Sequence, residues 1–246
     1  METKVILFIA LLGASGCSVA PDGTGVHDPY EMRNRAVHDF NKSVIGTLGG
    51  NDESADADAG GPFLPPELAE RVINVADHIA LPGAVVNNAL QGDLDGVSIN
   101  TMRFILNTLV GVGGIFDPAG TIGLDEVETD FGQTLAVWGV PEGAFLELPL
   151  VGPSTERDLA GDVVDIFIDP LGAVLTNDQA LAATAVTLAA RVAKIDQAGD
   201  VIGDVLEESA DSYAQARLIY LQNRRFELGL DDIESVDPYD ELFGEP

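Results

Sequence analysis

The sequence predicts a mostly α-helical protein, and three observations support this. Apolar residues recur at spacings of three and four around Val37, Val85 and Met102, as they do on one face of a helix. Capping residues, prolines and glycines divide the chain into pieces of helical length. The only extended segment, 144–151, alternates poorly and contains Pro149, so it is an edge strand at best.

The predicted helices run, in chain order, over 30–45, 66–81, a shorter piece around 85–91, 98–110, 130–138, 155–168, 176–208 as one or two helices, and 209–228. Asp28 is the expected N-cap of the first helix. The spacing of Val37, Phe40 and Val44 predicts that they lie on the inward face of this helix. In the last helix, one side carries Tyr213, Arg217, Tyr220 and Arg224.

Charge limits the partners. The chain has 246 residues, enough for one domain or at most two, and 46% of them are hydrophobic. Its 41 acidic and 12 basic residues give a net charge of −29. Such a chain does not bind nucleic acid by phosphate neutralisation, and anionic lipid surfaces repel it. Membrane attachment therefore requires apolar insertion or a covalent lipid.

The N-terminus predicts a covalent lipid. Residues 5–12 form a short apolar core typical of a signal peptide, and the small residues 14–16 precede Cys17, as in a lipoprotein signal peptide covering 1–16. Cys17, the only cysteine, is then the acylated first residue of a tether spanning 17–27. Ser18, rather than Asp, favours outer-membrane sorting. The alternative is an ordinary signal peptide with an incidental cysteine.

Two segments are predicted to lie outside the helical body. Residues 49–61 are small and acidic, which is typical of a flexible surface loop. From Glu227 onward there are eight carboxylates and no cation, so 230–246 is expected to be a mobile tail. The helical domain is therefore assigned to 28–229.

The stretch 87–139 organises the chain. Between Phe104 and Leu124 the only ionisable group is Asp117, so the run is long enough to span a bilayer as one helix. Gly111, Gly113, Gly114 and the Asp117-Pro118 pair break it into two helical pieces joined by a glycine turn. Such a hairpin is either a buried core or, at membrane depth, the wall of a passage.

The helices of this stretch carry amide faces. Asn100, Arg103 and Asn107 share a face opposite Met102 and Leu109, and a second such set is Asn87, Asn88 and Gln91. An amide face beside an apolar one suits an amphiphile with a polar head and oily tails. The alternative is that these amides tie helix ends to loops.

The chemistry of an enzyme is not apparent. His27, His38 and His78 lack metal-ligand spacing, and Gly152-Pro153-Ser154 lacks the closing glycine of a nucleophile elbow. The glycines at 111–114 are not followed by the lysine of a phosphate loop. We therefore predict no enzymatic activity, no metal and no cofactor.

Many short motifs resemble one family. They are Asp28-Pro29-Tyr30-Glu31, Asn34-Arg35, Asp39-Phe40-Asn41, residues 87–96, Arg103-Phe104, Asn107-Thr108, residues 111–117, residues 131–135 with Trp138-Gly139, Leu148-Pro149, Gly152-Pro153-Ser154, Arg157-Asp158, Asp169-Pro170, Tyr213, Arg217 and Tyr220. In this order they resemble the MlaA (VacJ) lipoproteins of the system that maintains outer-membrane lipid asymmetry. The acidic loop at 49–61 and the tail depart from the family pattern.

The resemblance implies a single-domain ring of amphipathic helices that lies in the inner leaflet of the outer membrane. A central channel would take misplaced phospholipid from the outer leaflet to the periplasm. The implied partners are trimeric porins and the periplasmic carrier MlaC, which serves an ATP-driven inner-membrane complex. The channel candidates are Asn87, Asn88, Gln91, Arg103, Asn107, Gly111, Gly113, Gly114, Phe116 and Asp117.

Two alternatives remain from the sequence. Arg103 is equally consistent with a structural ion pair to Asp93 or Asp95, which would fix the hairpin. The whole protein is alternatively a lipid-anchored soluble module that holds lipid in a closed pocket. A lipid-hydrolysing enzyme is disfavoured because no nucleophile motif is present.

Overall fold

The computed structural model describes residues 26–48, 64–207 and 211–229. The predicted signal peptide, Cys17, most of the tether, the acidic loop and the tail lie outside the described residues. Within them the chain is mostly helical, as predicted, with one short two-stranded sheet.

The elements follow one another as α1 (Glu31–Leu48), α2 (Pro66–Gln91), α3 (Leu94–Leu109), α4 (Pro118–Thr121), α5 (Phe131–Val137), β1 (Phe145–Leu148), β2 (Gly152–Thr155), α6 (Glu156–Ile168), α7 (Pro170–Val174), α8 (Asn177–Glu207) and α9 (Ser212–Glu227). Helix α2 packs against α3 and α8, and α5 packs against α6. Side-chain caps set several helix starts: Asp130 accepts a 2.8 Å hydrogen bond from the Gln133 N–H, and the Thr155 hydroxyl accepts one of 3.1 Å from the backbone N–H of Asp158.

Several helix boundaries differ from the prediction, and two of these differences result from contacts distant in sequence. Asp28 does not cap α1, which begins at Glu31, because its carboxylate is bound by Tyr213 and Arg217 of α9 instead. Helix α2 does not stop before Pro82 but runs through it to Gln91. Buried residues on both sides of the proline, Leu81 and Ala84 among them, pack one face of a single helix, so tertiary contacts outweigh the lost hydrogen bond.

A β-hairpin follows α5. Strands β1 and β2 pair antiparallel, with Phe145 opposite Thr155 and Leu148 opposite Gly152. Only the first strand was expected. Its free edge is occupied by α1, where Asn34 donates to the Phe145 carbonyl at 3.0 Å and accepts from the Glu147 N–H at 3.1 Å. A helix amide thus supplies the hydrogen bonds of a neighbouring strand.

The usual distribution of polar and apolar residues is inverted. Among the described residues, the buried polar and charged side chains outnumber the buried apolar ones, and most of the latter are alanines. Large apolar side chains lie on the surface instead, including Leu109 at 77% exposure, Phe167 at 73% and Phe40 at 49%, which was predicted to face inward. Soluble monomers rarely expose apolar surface on this scale.

The apolar core that does exist is small. Phe145, Tyr213 and Leu221 form it, with Val26 and Tyr220 packed against them. Within the residues that the structure describes, the helices lack the combination of length and apolarity that crossing a bilayer requires.

Candidate functional site

The predicted hairpin is held closed by one carboxylate. Asp117 accepts hydrogen bonds from the Asn107 amide at 2.8 Å, from Nη2 of Arg103 at 3.1 Å and from the Gly120 N–H at 3.0 Å. Nη1 of Arg103 donates to the Leu124 carbonyl. Partial burial opposes ionisation, but these hydrogen bonds prevail and lower the pKa of Asp117. Arg103 is therefore bound to Asp117, and not to Asp93 or Asp95.

The glycine turn between α3 and α4 is present as predicted. Gly114 has a φ of +89°, and a Cβ there would lie 2.4 Å from the Cβ of His78. Gly113 also has a positive φ, +71°, but faces open space. Gly111 is buried, and a Cβ there would lie 2.4 Å from the Phe116 carbonyl oxygen. At Gly111 and Gly114 a side chain would overlap neighbouring atoms, whereas Gly113 is favoured only by its positive φ.

The amides of α2 connect loops to helices. Asn87 donates to Asp165 at 2.8 Å and accepts from the Thr134 hydroxyl at 2.9 Å. Gln91 donates to the hydroxyls of Thr129 and Thr134, at 2.6 and 2.9 Å. This is the tying role that the sequence left open as an alternative.

Two further candidates have different surroundings. Asn88 is buried against Gly96, and its Nδ2 finds no hydrogen-bond partner among the described residues. Phe116 is half exposed, with the Arg71 guanidinium 4.5 Å above its ring. Phe116 and Asp117 line a cavity of about 470 Å³ between α2 and the glycine turn.

A second, open cavity of about 460 Å³ lies elsewhere, lined by α2, the segment before α5, the β-hairpin, α6, α8 and α9. Many of the side chains that line it are charged. The acidic side chains that line it are Asp77, Glu126, Glu128, Asp130, Asp158, Asp162 and Glu227, and the basic ones are Lys194 and Arg224. None of the predicted channel residues lines this cavity, so their lipid-channel role stays a prediction.

Ion pairs organise one side of this cavity. Nη2 of Arg224 donates to Asp130 at 2.7 Å and to Asp158 at 3.0 Å, while Nη1 donates to Glu227 at 3.1 Å. The Tyr220 hydroxyl donates to the other oxygen of Asp158 at 2.7 Å. Burial works against the charge on Asp158, but Arg224 dominates and lowers the pKa of this carboxyl.

On the opposite side of this cavity, fewer of the acidic side chains have a basic partner. Nζ of Lys194 lies 2.9 Å from Asp77. Glu126 has no ion-pair partner among the described residues, and burial, with the charge of Asp77 adding to it, raises the pKa of Glu126 to about 7. Groups of histidines, cysteines or carboxylates arranged to hold a metal ion do not occur in the described part of the chain.

The fold and its residues match one family. The sequence model of the MlaA lipoproteins matches residues 26–227. The chain belongs to the MlaA lipoprotein family. A solved structure described as the structural basis for maintenance of bacterial outer membrane lipid asymmetry superposes with a TM-score of 0.65 at 30% identity, covering 82% of this chain and 98% of that one.

Other MlaA relatives extend the match. The intermembrane phospholipid transport system lipoprotein MlaA of Escherichia coli is 32% identical over 216 residues, which are 86% of this chain and 82% of the relative. The protein of the same name from Haemophilus influenzae is 27% identical over 238 residues, covering 93% and 92% of the two chains. An uncharacterised protein of Rickettsia bellii is 32% identical over 214 residues, 81% of this chain and 76% of the relative.

The acidic cavity of this MlaA-family chain was not predicted from the sequence. The polar stripe of α9 gave one signal, because Tyr220 and Arg224 of that stripe line the cavity. Nothing distinguished the acidic residues. The sequence has 41 acidic residues, and no pattern marks Glu126 or Asp162 among them. They lie in one cavity because the fold brings the segment before α5 close to α6 and α8.

Proposed function

We propose that this chain is an outer-membrane lipoprotein of intermembrane phospholipid transport. It withdraws misplaced phospholipid from the outer leaflet through its polar cavity and delivers the lipid to a periplasmic carrier of the MlaC type. Membership of the MlaA family, and the phospholipid transport named for its Escherichia coli relative, support this proposal.

The observation that carries the proposal is the combination of an apolar exterior with a polar cavity. Leu109, Phe167 and Val174 are 77, 73 and 78% exposed. In water this surface would favour aggregation, whereas acyl chains of a leaflet would cover it at no cost in hydrogen bonds. The cavity offers carboxylates, hydroxyls and amides, which a lipid head group needs when it leaves water.

The size of the cavity fits a head group. Its 460 Å³ falls within the range of small-molecule sites, roughly 300–1,000 Å³. That space accommodates a polar head group but not two long acyl chains. The tails would therefore stay in the surrounding lipid while the head group passes through the protein.

The anchor and the partners belong to the same proposal. Acylation at Cys17 would hold the chain in the periplasmic leaflet of the outer membrane despite its net charge of −29. A trimeric porin would support the ring at its apolar rim. The polar residues predicted in the hairpin, Arg103 and Asn107 among them, would act by keeping the glycine turn in shape.

A cavity-filling variant tests the function. Ala80 lines the cavity on α2, and Ala80→Trp would place an indole there. In the native host, deletion of the gene should increase surface-exposed phospholipid and detergent sensitivity. Wild type should restore both to normal, and Ala80→Trp at equal protein level should not. Ala173→Trp, at an exposed site on α7, is the matched control and should restore both. Full rescue by Ala80→Trp would refute the passage.

The tethered closed-pocket module is the alternative, and flotation separates the two. Cys17→Ala, exported behind a cleavable signal, yields an acyl-free chain. An embedded ring floats with membranes even in high salt, because its exterior Leu109 and Phe167 insert into lipid. A tethered module is released into the periplasmic fraction, and that result would overturn the proposal.

A further inference from the structure

The charges of the acidic cavity are unevenly compensated. Asp77 forms an ion pair with Lys194. Arg224 forms ion pairs with three acidic residues, Asp130, Asp158 and Glu227. The remaining lining carboxylates, Glu126, Glu128 and Asp162, have no ion-pair partner in the described ranges. They come from the segment before α5 and from α6. The wall therefore presents carboxylates that no ion pair neutralises, and Glu126 adds its negative charge above its pKa of about 7.

These carboxylates do not form a metal site. A calcium ion requires six to eight oxygen ligands that converge on one point. No set of three carboxylates or histidines converges in this way within the described residues. The negative charge is instead spread along the wall of a cavity of about 460 Å³. A diffuse field of this kind suits an organic cation that moves through the cavity.

The cavity also offers a group for phosphate. Arg224 is 7% exposed, and its two terminal nitrogens are bound to carboxylates. Its Nε–H has no hydrogen-bond partner among the described residues, although buried guanidinium donors are normally satisfied. One donor on a guanidinium in the wall suits one phosphodiester oxygen. The other basic residue of the lining, Lys194, is already paired with Asp77.

We propose that this cavity selects phospholipids whose head group carries an ammonium, the phosphatidylethanolamine class, over net-anionic head groups such as phosphatidylglycerol. The ammonium lies against the uncompensated carboxylates, and the phosphodiester lies towards Arg224. A net-anionic head group meets the same carboxylates without a positive charge to offset them. This inference rests on the proposed function, because it concerns the same cavity and the same lipid.

Binding of matched lipids tests the selectivity. The purified full chain in neutral detergent is titrated with phosphatidylethanolamine and phosphatidylglycerol that carry identical acyl chains and the same acyl-linked fluorophore. The buffer has pH 8.5, so that Glu126 is ionised, and low ionic strength. We expect phosphatidylethanolamine to bind about tenfold more tightly. Raising the salt should reduce this ratio, because mobile ions screen the wall.

A neutralised variant identifies the source of selectivity. In Glu126→Gln/Glu128→Gln/Asp162→Asn, the ratio should fall to about one, mainly because phosphatidylglycerol binds more tightly. The control Asp39→Asn/Glu67→Gln/Asp178→Asn removes equal charge from exposed sites outside the cavity and should keep the wild-type ratio.

The outcomes separate the two proposals. A wild-type ratio near one at every salt concentration, or a ratio unchanged in the cavity variant, refutes the selectivity and leaves phospholipid transport standing. Absence of binding of either lipid to wild type refutes the transport function and the selectivity with it. If the cavity variant does not fold, the salt dependence of the wild-type ratio decides, since a ratio insensitive to salt also refutes the electrostatic selection.

Discussion

The side-chain amide of Asn107 donates a 2.8 Å hydrogen bond to Oδ1 of Asp117 and so joins the last turn of α3 to the start of α4. The carbonyl of the same amide accepts from the Ala119 N–H at 3.2 Å. The other Asp117 oxygen binds Arg103. One carboxylate therefore connects an amide, a guanidinium and a helix N-terminus across the glycine turn.

Removing this carboxylate should destabilise the protein. Asp117→Ala leaves the Arg103 guanidinium, 7% exposed, without its counter-charge and removes the cap of α4. A buried charge without a partner is costly, so we expect the free energy of unfolding to fall by about 2–4 kcal/mol. Thermal unfolding of the detergent-solubilised protein measures the effect.

Asp95→Ala is the matched control for Asp117→Ala. Asp95 is exposed on α3 and makes no ion pair within the described residues, although the sequence offered it as a partner of Arg103. Its removal should change the free energy of unfolding by about 0.5 kcal/mol or less. Equal losses in the two variants would contradict the assignment of Asp117 as the partner.

The two central glycines of the turn should respond differently to alanine. Gly113→Ala meets no atom and bears only the strain of a positive φ, about 1 kcal/mol. Gly114→Ala bears the same strain and also overlaps His78, so we expect a loss of about 2–4 kcal/mol. Unfolding midpoints of the two variants, measured side by side, isolate the steric part. A Gly113 variant as unstable as the Gly114 variant would contradict this turn geometry.

Local signals made the helices predictable, but not which face of each helix is buried. Asn100, Arg103 and Asn107 share a face, as their spacing predicted, and the structure buries it. Leu109, on the apolar face, is instead 77% exposed. Periodicity is the same whether the apolar face packs inward in water or outward in lipid, so sequence spacing alone does not decide between them.

Features that depend on contacts distant in sequence were missed. From the sequence alone, Pro82 predicts the end of a helix. The helix continues through Pro82 because it packs against other segments of the chain, which local sequence does not reveal. The second strand, Gly152–Thr155, has no strand pattern and exists because β1 pairs with it. The Asp130 cap of α5, by contrast, acts within four residues, and the sequence predicted a helix that begins at this residue.

The Glu147 carboxyl should make stability depend on pH. Burial raises the pKa of Glu147 to about 7 from a reference near 4.5, and the Asn41 hydrogen bond opposes the shift only in part. The folded chain therefore keeps this proton where the unfolded chain has lost it. The contribution to stability is full below about pH 4.5, decreases as the pH rises and is lost above about 7.

Glu147→Gln replaces the carboxyl with a neutral group of the same shape. Unfolding of both proteins is followed between pH 4.5 and 8. In the wild type, deprotonation of Glu147 should lower the free energy of unfolding as the pH rises through this window. The variant should lack this part of the pH dependence and should be the more stable protein above pH 7. Glu67→Gln, at an exposed position in the first turn of α2, should leave the wild-type profile unchanged. A Glu147→Gln profile parallel to wild type would refute the buried protonated carboxyl.

The exposed apolar residues of α3 and α6 should govern membrane insertion rather than folding. In acyl-free protein, Leu109→Asp and Phe167→Asp introduce charge at sites 77 and 73% exposed. Neither side chain is packed inside the protein, so the substitutions leave the packing intact and thermal unfolding in detergent should change little. At membrane depth an acidic residue costs about 2.5–3.5 kcal/mol at the bilayer centre and less near the interface, so flotation with lipid vesicles should fall several-fold.

Asn223→Asp supplies the matched control for these two variants. It adds the same charge at an exposed position on the cavity wall, away from the apolar exterior. If the exterior lies in lipid and the cavity in water, this variant floats like wild type. A loss of flotation equal to that of Leu109→Asp would show that net charge, and not the apolar surface, controls membrane association. Unimpaired flotation of Leu109→Asp and Phe167→Asp would place both residues outside the lipid.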